Sequence, residues 1–281
     1  MERLKEYLKL CVVDFFYRRG FELKKIESPM KLKTKKNPRL ANYFERQICM
    51  EVDISEVREF NFFPFSDPCY HPFVVALMFS DKTAEGIAKI IHKYYNSLKF
   101  TKPKRIWNHL NDEEFFTINS KINLPWSANL INLKDSKLER FYGKENLFFL
   151  GPTSPESVMD HAERLLKIFH SMRDNGYLRN NSQDGDASSI VLYKNQSEWR
   201  FLLGRGRHRV PVAKALGYEK IPIRFKKIIY RDDVDVWPLV QSGYYTKKEA
   251  LFIFDSIFDG KLPSVFDNWV KYVNKERLTH K

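Results

Sequence analysis

A chain of 281 residues with 43% hydrophobic and 30% charged residues can bury a core, which excludes a disordered chain. Three widely spaced cysteines, Cys11, Cys49 and Cys69, exclude a disulfide framework or a CxxC metal site. A net charge of +13 favours polyanionic partners without choosing among nucleotides, nucleic acid, anionic lipid and acidic glycans.

No apolar run approaches the roughly 18 residues needed to span a bilayer. Met1 to Glu6 lacks the apolar core of a signal peptide, so the expectation is a cytoplasmic protein without a transmembrane segment. Length suggests two modest domains.

Leu4, Tyr7, Leu8, Cys11, Val12 and Phe15 recur at helical spacing, and Gly20 is placed to end that helix. The basic, proline-punctuated stretch Lys24 to Arg39 reads as a solvated loop, or alternatively as a patch for nucleic acid or membrane. Ile48, Met50, Val52 and Ile54 alternate with Cys49, Glu51 and Asp53, the pattern of a half-buried strand. The segments around Phe62–Phe65 and Cys69–Phe73 are aromatic and turn-rich. A helix follows with Ile87, Ile90, Ile91, Tyr94, Tyr95 and Leu98 on one face and Asp81 as its expected N-cap. Periodicity is weak from Phe100 to Asn146. Residues 1–145 are therefore expected to form a smaller α+β region of illegible role.

Beyond it, Ser154-Pro155-Glu156 supplies an N-cap, a proline in the first turn and an acid at the positive end of a helix. Val158, Ala162, Leu165, Leu166, Phe169 and Met172 form its stripe, and Gly176 ends it. After a polar loop, Ile190–Tyr193 and Trp199–Leu203 read as strands, and Ile221, Ile223 and Phe225 as another. A helix is expected over Ala250 to Phe258.

Between strand and helix lies Gly204-Arg205-Gly206-Arg207-His208-Arg209. Pro211 belongs in a first turn, so this helix begins no earlier than about Arg207. Free N–H groups, the helix dipole and three guanidinium groups then converge on one loop, where glycines admit close approach of an anion. A tight turn with solvent-facing arginines is the plainer alternative, and for His208 a neutral core position.

The succession Leu165…Ser171-Met172…Gly176-Tyr177, a strand, Gly206-Arg207-His208-Arg209, Ala213-Lys214-Ala215-Leu216-Gly217 and Ile221-Pro222-Ile223 resembles the ParB/sulfiredoxin superfamily over about 75 residues. The resemblance implies a mixed α/β nucleotide-binding domain at 146–230, followed by a helical extension at 231–281. It implies that Gly204, Arg205, Gly206, Arg207, His208 and Arg209 hold the phosphates of ATP or CTP, with Mg2+. Gly206, His208 and Arg209 match the family motif. Arg207 departs from it, standing where sulfiredoxins carry a cysteine and partition proteins a glutamate. No helix-turn-helix DNA reader follows, and residues 231–250 resemble the tail of ParB-like proteins that lack one.

The expected activity is phosphoryl transfer from a nucleotide to a hydroxyl-bearing acceptor. His208 is a candidate catalytic residue. Glu163 and Asp160 are candidates to orient the acceptor and help hold Mg2+, with solvent-facing helix acids beside Arg164 and Lys167 as the alternative. A non-catalytic nucleotide or DNA switch is the second expectation, with weak non-specific nucleic-acid binding, and a nuclease the third. No carboxylate cluster marks a metal site for a nuclease.

Overall fold

The segment at 48–54 does form a strand over Ile48–Asp53, with Met50 and Val52 buried and Glu51 and Asp53 exposed; Cys49 is buried as well, and the buried Ile54 opens the 3-10 turn that follows. In the computed structural model the described residues are 30–31, 48–60, 62–98, 124–127, 154–177, 187–195 and 197–279. The expected helix at residues 4–15 lies outside them, as do most of the basic stretch and the polar loop at 180–186.

In chain order the elements are β1 (Met30–Lys31), β2 (Ile48–Asp53), β3 (Val57–Arg58), α1 (Pro72–Phe79), α2 (Ala84–Ser97) and α3 (Pro155–Asn175). Then come β4 (Ala187–Asn195), β5 (Glu198–Arg205), α4 (Arg209–Ala215), β6 (Lys220–Tyr230), α5 (Pro238–Gln241), α6 (Lys247–Asp259) and α7 (Asp267–Thr279). The chain is α+β. Among the described residues the strands form one mixed six-stranded sheet in the order β1-β2-β6-β4-β5-β3. β6 runs antiparallel to β2, pairing Met50 with Ile223, and parallel to β4. β4 and β5 form an antiparallel hairpin. β6 continues five residues past Phe225 to Tyr230, longer than the short strand expected.

Strands from both sides of residue 145, the boundary expected between two regions, pair in this one sheet, and buried side chains from both sides form one hydrophobic cluster. Phe201, Leu202 and Leu203 are all buried, so β5 is covered on both faces rather than alternating.

The long helix α3 follows its local signals. The Ser154 hydroxyl accepts from the Ser157 N–H, Pro155 opens the first turn, and Gly176 ends the helix at φ 72°. Helix α2 begins later than expected. Its N-cap is Thr83, whose hydroxyl accepts from the Gly86 N–H, while the Asp81 carboxylate accepts from the Thr83 N–H and hydroxyl. Asp81 thus braces the cap and does not form it. Helix α1 is new. Pro72 through Leu77 are all buried, so no polar face exists to betray a period. Helices α1 and α2 pack together, α3 packs on α2, and α4 lies against α1 and α3.

Helix α6 carries a capping box between Thr246 and Glu249. Helix α7 returns to the aromatic segment, where the Trp269 indole N–H donates to the Tyr70 carbonyl (2.7 Å) and Arg277 to that of Cys69 (2.6 Å). No helix among the described residues is long and apolar enough to cross a membrane.

Candidate functional site

The loop after β5 is shaped by one residue. Gly206 has φ +93°, and a Cβ there would lie 2.8 Å from the Cβ and 3.0 Å from the Cα of Ala187 at the start of β4. Only glycine tolerates both the backbone angle and that approach. The Val210 N–H donates to the Gly206 carbonyl (2.9 Å), so the first turn of α4 starts from this glycine. The strand end, the turn and the helix entry therefore occupy one short stretch, and α4 runs for seven residues.

Each charged or polar side chain of the loop has a distinct seat. Gly204 and Arg205 are exposed. The Arg207 guanidinium lies 5.2 Å from the Phe60 ring centre, and that of the buried Arg209 lies 5.6 Å from the Tyr177 ring centre. These cation–π contacts hold the planar groups against aromatic faces. Pro211 is buried in the first turn of α4, as its fixed φ and missing N–H require.

His208 is neither a solvent-facing loop residue nor a fully buried one. Its ring stacks on Phe73, with centroids 5.3 Å apart and planes 21° apart. Its Nε2 lies 3.0 Å from Nδ1 of His161, a half-buried residue of α3, and His161 also lies against Phe73 at 5.5 Å. Burial, reinforced by His161, Arg164, His71 and Arg207, pushes the His208 pKa down to about 3. Burial also lowers that of His161, with Asp160 opposing and Arg164 assisting. Burial thus favours the neutral form of both rings.

Behind Phe73 lies a second pair. Nε2 of His71 is hydrogen-bonded to a carboxylate oxygen of Glu59, and both side chains are wholly buried. Nδ1 of His71 accepts from the Phe73 N–H (3.2 Å), so the ring proton sits on Nε2 and is donated to Glu59. Among the described residues the other Glu59 oxygen has no hydrogen-bond partner.

The structure brings Gly204, Arg205, Gly206, Arg207, His208 and Arg209 together at the loop. It joins neither carboxylate to them by hydrogen bond or ion pair among the described residues. Glu163 and Asp160 are both exposed on α3, and Asp160 reaches the pair only through its charge on the neighbouring His161. His161, His71 and Glu59 escaped the sequence reading. His161 lies 47 residues before His208, on a helix whose apolar stripe excludes it, and no local pattern joins the two.

Among the described residues no group of three or more His, Cys, Asp or Glu side chains could hold a metal ion. A magnesium ion here would have to arrive on phosphate oxygens, which commonly supply much of its shell, with Asp160 the carboxylate on the His161 side of α3. Compared with family models, curated proteins and solved structures, the chain finds no match.

Proposed function

We propose that the Gly204–Arg209 loop binds the phosphates of a nucleoside triphosphate, ATP or CTP carrying Mg2+, and that the chain transfers a phosphoryl group to a hydroxyl-bearing acceptor in a ParB/sulfiredoxin-like domain. The observation that carries this reading is the loop itself: Arg207 and Arg209, held against Phe60 and Tyr177, flank His208 in one short stretch between β5 and α4. Cations gathered on one loop favour an anion. Neutral His208 can donate to an anion without carrying charge.

Phosphoryl transfer places developing charge on the equatorial oxygens, so positioned cations and donors supply most of the rate. Arg207 and Arg209, held on Phe60 and Tyr177, are pre-oriented for that role.

A second reading is favoured by the exposure of Asp160 and Glu163 away from the loop contacts: a nucleotide- or DNA-binding switch without chemistry. The deciding experiment is calorimetry of the full chain with ATP, CTP and GTP, each with Mg2+, followed by product analysis of phosphoryl transfer to small hydroxyl compounds. Binding with transfer supports the enzyme, and binding without transfer the switch. The absence of any triphosphate binding refutes both.

A further inference from the structure

Residues 69–71, between the aromatic turn after β3 and helix α1, lie in no helix or strand, so no ladder takes up their backbone carbonyls. Those of Cys69 and Tyr70 are taken up by α7. The Arg277 guanidinium donates to the Cys69 carbonyl (2.6 Å) and the Trp269 indole N–H to that of Tyr70 (2.7 Å). The Tyr70 side chain is gripped as well: its hydroxyl donates to the Asn274 amide oxygen (3.1 Å), and the Arg277 guanidinium lies 5.1 Å from its ring centre. Helix α7 is itself fixed, since Trp269 is wholly buried against Tyr94 of α2 with ring centres 5.2 Å apart. By contrast, Lys214 of α4 meets the same stretch only at the largely exposed carboxylate of Asp67, where an ion pair contributes little.

The residues that follow carry the seat of His208. His71 is wholly buried. Its Nδ1 accepts from the Phe73 N–H (3.2 Å) and its carbonyl from the Val75 N–H (3.0 Å), so it starts α1. Phe73, in the first turn, stacks on His208 at 5.3 Å with planes 21° apart and meets His161 at 5.5 Å. A packing route runs beside this backbone route. Trp269 meets Tyr94, Tyr94 meets Phe63 at 6.0 Å, and Phe63 meets the His71 ring at 5.9 Å, each edge to face. Close-packed rings transmit a displacement because no void takes it up.

We propose that α7 is a strap on the site: by fixing the backbone of Cys69 and Tyr70 it sets where α1 begins, and through Phe73 it sets the seat of His208. Trp269, Asn274 and Arg277 are then positioning residues, acting on the loop through the segment 69–73. The inference holds whatever the loop binds, so it stands or falls apart from the phosphate reading. If the packing of α1 on α2 and α4 alone seated Phe73, α7 would merely cover the aromatic segment. The two arrangements give different spectra.

The test is NMR of the full chain in three forms: the parent, Arg277→Met, which keeps an unbranched stem and removes the donor, and Arg277→Lys, which keeps a charged donor. The His208 ring protons, assigned with His208→Asn, are displaced by the ring current of Phe73 and so report the stack directly. Amide exchange is measured in parallel. In Arg277→Met the His208 shifts should move towards those of an unstacked imidazole, and Arg277→Lys should stay closer to the parent. The amides of Phe73 and Val75, and those of Val210 and Val212, which bond to Gly206 and His208, should exchange faster in Arg277→Met. The expected increase is about tenfold, the worth of one hydrogen bond, with the amides of β4 and β6 at their parent rates. Unchanged His208 shifts in Arg277→Met would overturn the strap whatever exchange does. Faster exchange confined to Phe73 and Val75 would then show that the effect stops at α1, and a uniform increase that α7 contributes only to global stability. Equal displacement in Arg277→Met and Arg277→Lys would overturn it too, since the donor would not matter. Should Arg277→Met fail to fold, Asn274→Ala, an exposed change that removes the bond from the Tyr70 hydroxyl, is read in the same way.

Discussion

Replacing Gly206 with alanine tests the geometry of the site most directly. The residue has φ +93°, and its added Cβ would meet the Ala187 Cβ at 2.8 Å and the Ala187 Cα at 3.0 Å. A left-handed backbone angle costs an L-residue about 1–2 kcal/mol. The clash is with backbone and a methyl group in the sheet, not with a flexible side-chain end, so relief requires movement of β4 against the loop. Overpacking of that kind costs about 1–3 kcal/mol. Gly206→Ala should therefore lose about 2–5 kcal/mol in urea denaturation, or roughly 4–20 °C in Tm for a chain of this size. Removing the opposing methyl as Ala187→Gly relieves the clash at 2.8 Å but leaves both the φ strain and the crowding against the Ala187 backbone. The double variant should recover about 1 kcal/mol relative to additivity. If Gly206→Ala lies within about 0.5 kcal/mol of the parent, the loop does not have the tight turn on which the site is built.

Arg209→Ala should weaken ATP binding by about 1.5–3 kcal/mol, roughly 10- to 150-fold by calorimetry, because a charge-assisted bond is lost; unchanged affinity in the folded variant would remove Arg209 from the phosphate site. The depressed His208 pKa makes the unfolded chain bind more protons between pH 6.5 and about 3. Its stability contribution is thus full above about pH 6.5 and lost as pH falls from there towards 3. Urea midpoints of the parent should fall more steeply over that window than those of His208→Asn, and parallel curves would show that His208 is not held neutral. Glu59→Leu strands the buried His71 donor and should cost about 1–3 kcal/mol, whereas Glu59→Gln keeps an acceptor oxygen and should cost less; equal losses would mean that the hydrogen bond contributes nothing. Any DNA affinity should fall by roughly 10³–10⁵ between 50 and 200 mM salt if several phosphates are neutralised. A tight complex with one duplex that survives excess random DNA at about 150 mM salt would instead favour a partition-type switch.

Elements whose determinants lie within a turn or two of one another were legible in the sequence. Ser154, Pro155 and Gly176 delimit α3 because caps act on backbone groups three or four residues away. The alternation at 48–54 marked β2, and Pro211 bounded the start of α4 through its own ring and missing N–H. The loop Gly204–Arg209 was visible for the same reason, since glycines and arginines that crowd one turn are adjacent in the chain. Helix α1 was not, because its residues Pro72 through Leu77 are buried on every side and carry no period. Nor was α7, nor the pairing of β2 with β6 across some 170 residues, which only chain topology sets. The partners of the site depend on the same long-range packing. His161 meets His208 because α3 packs on α4, and Glu59 meets His71 because the aromatic segment after β3 folds into the core. A sequence states which groups a chain carries. Which two imidazoles share a proton is decided by packing between elements far apart in it, where no periodicity or cap leaves a local trace.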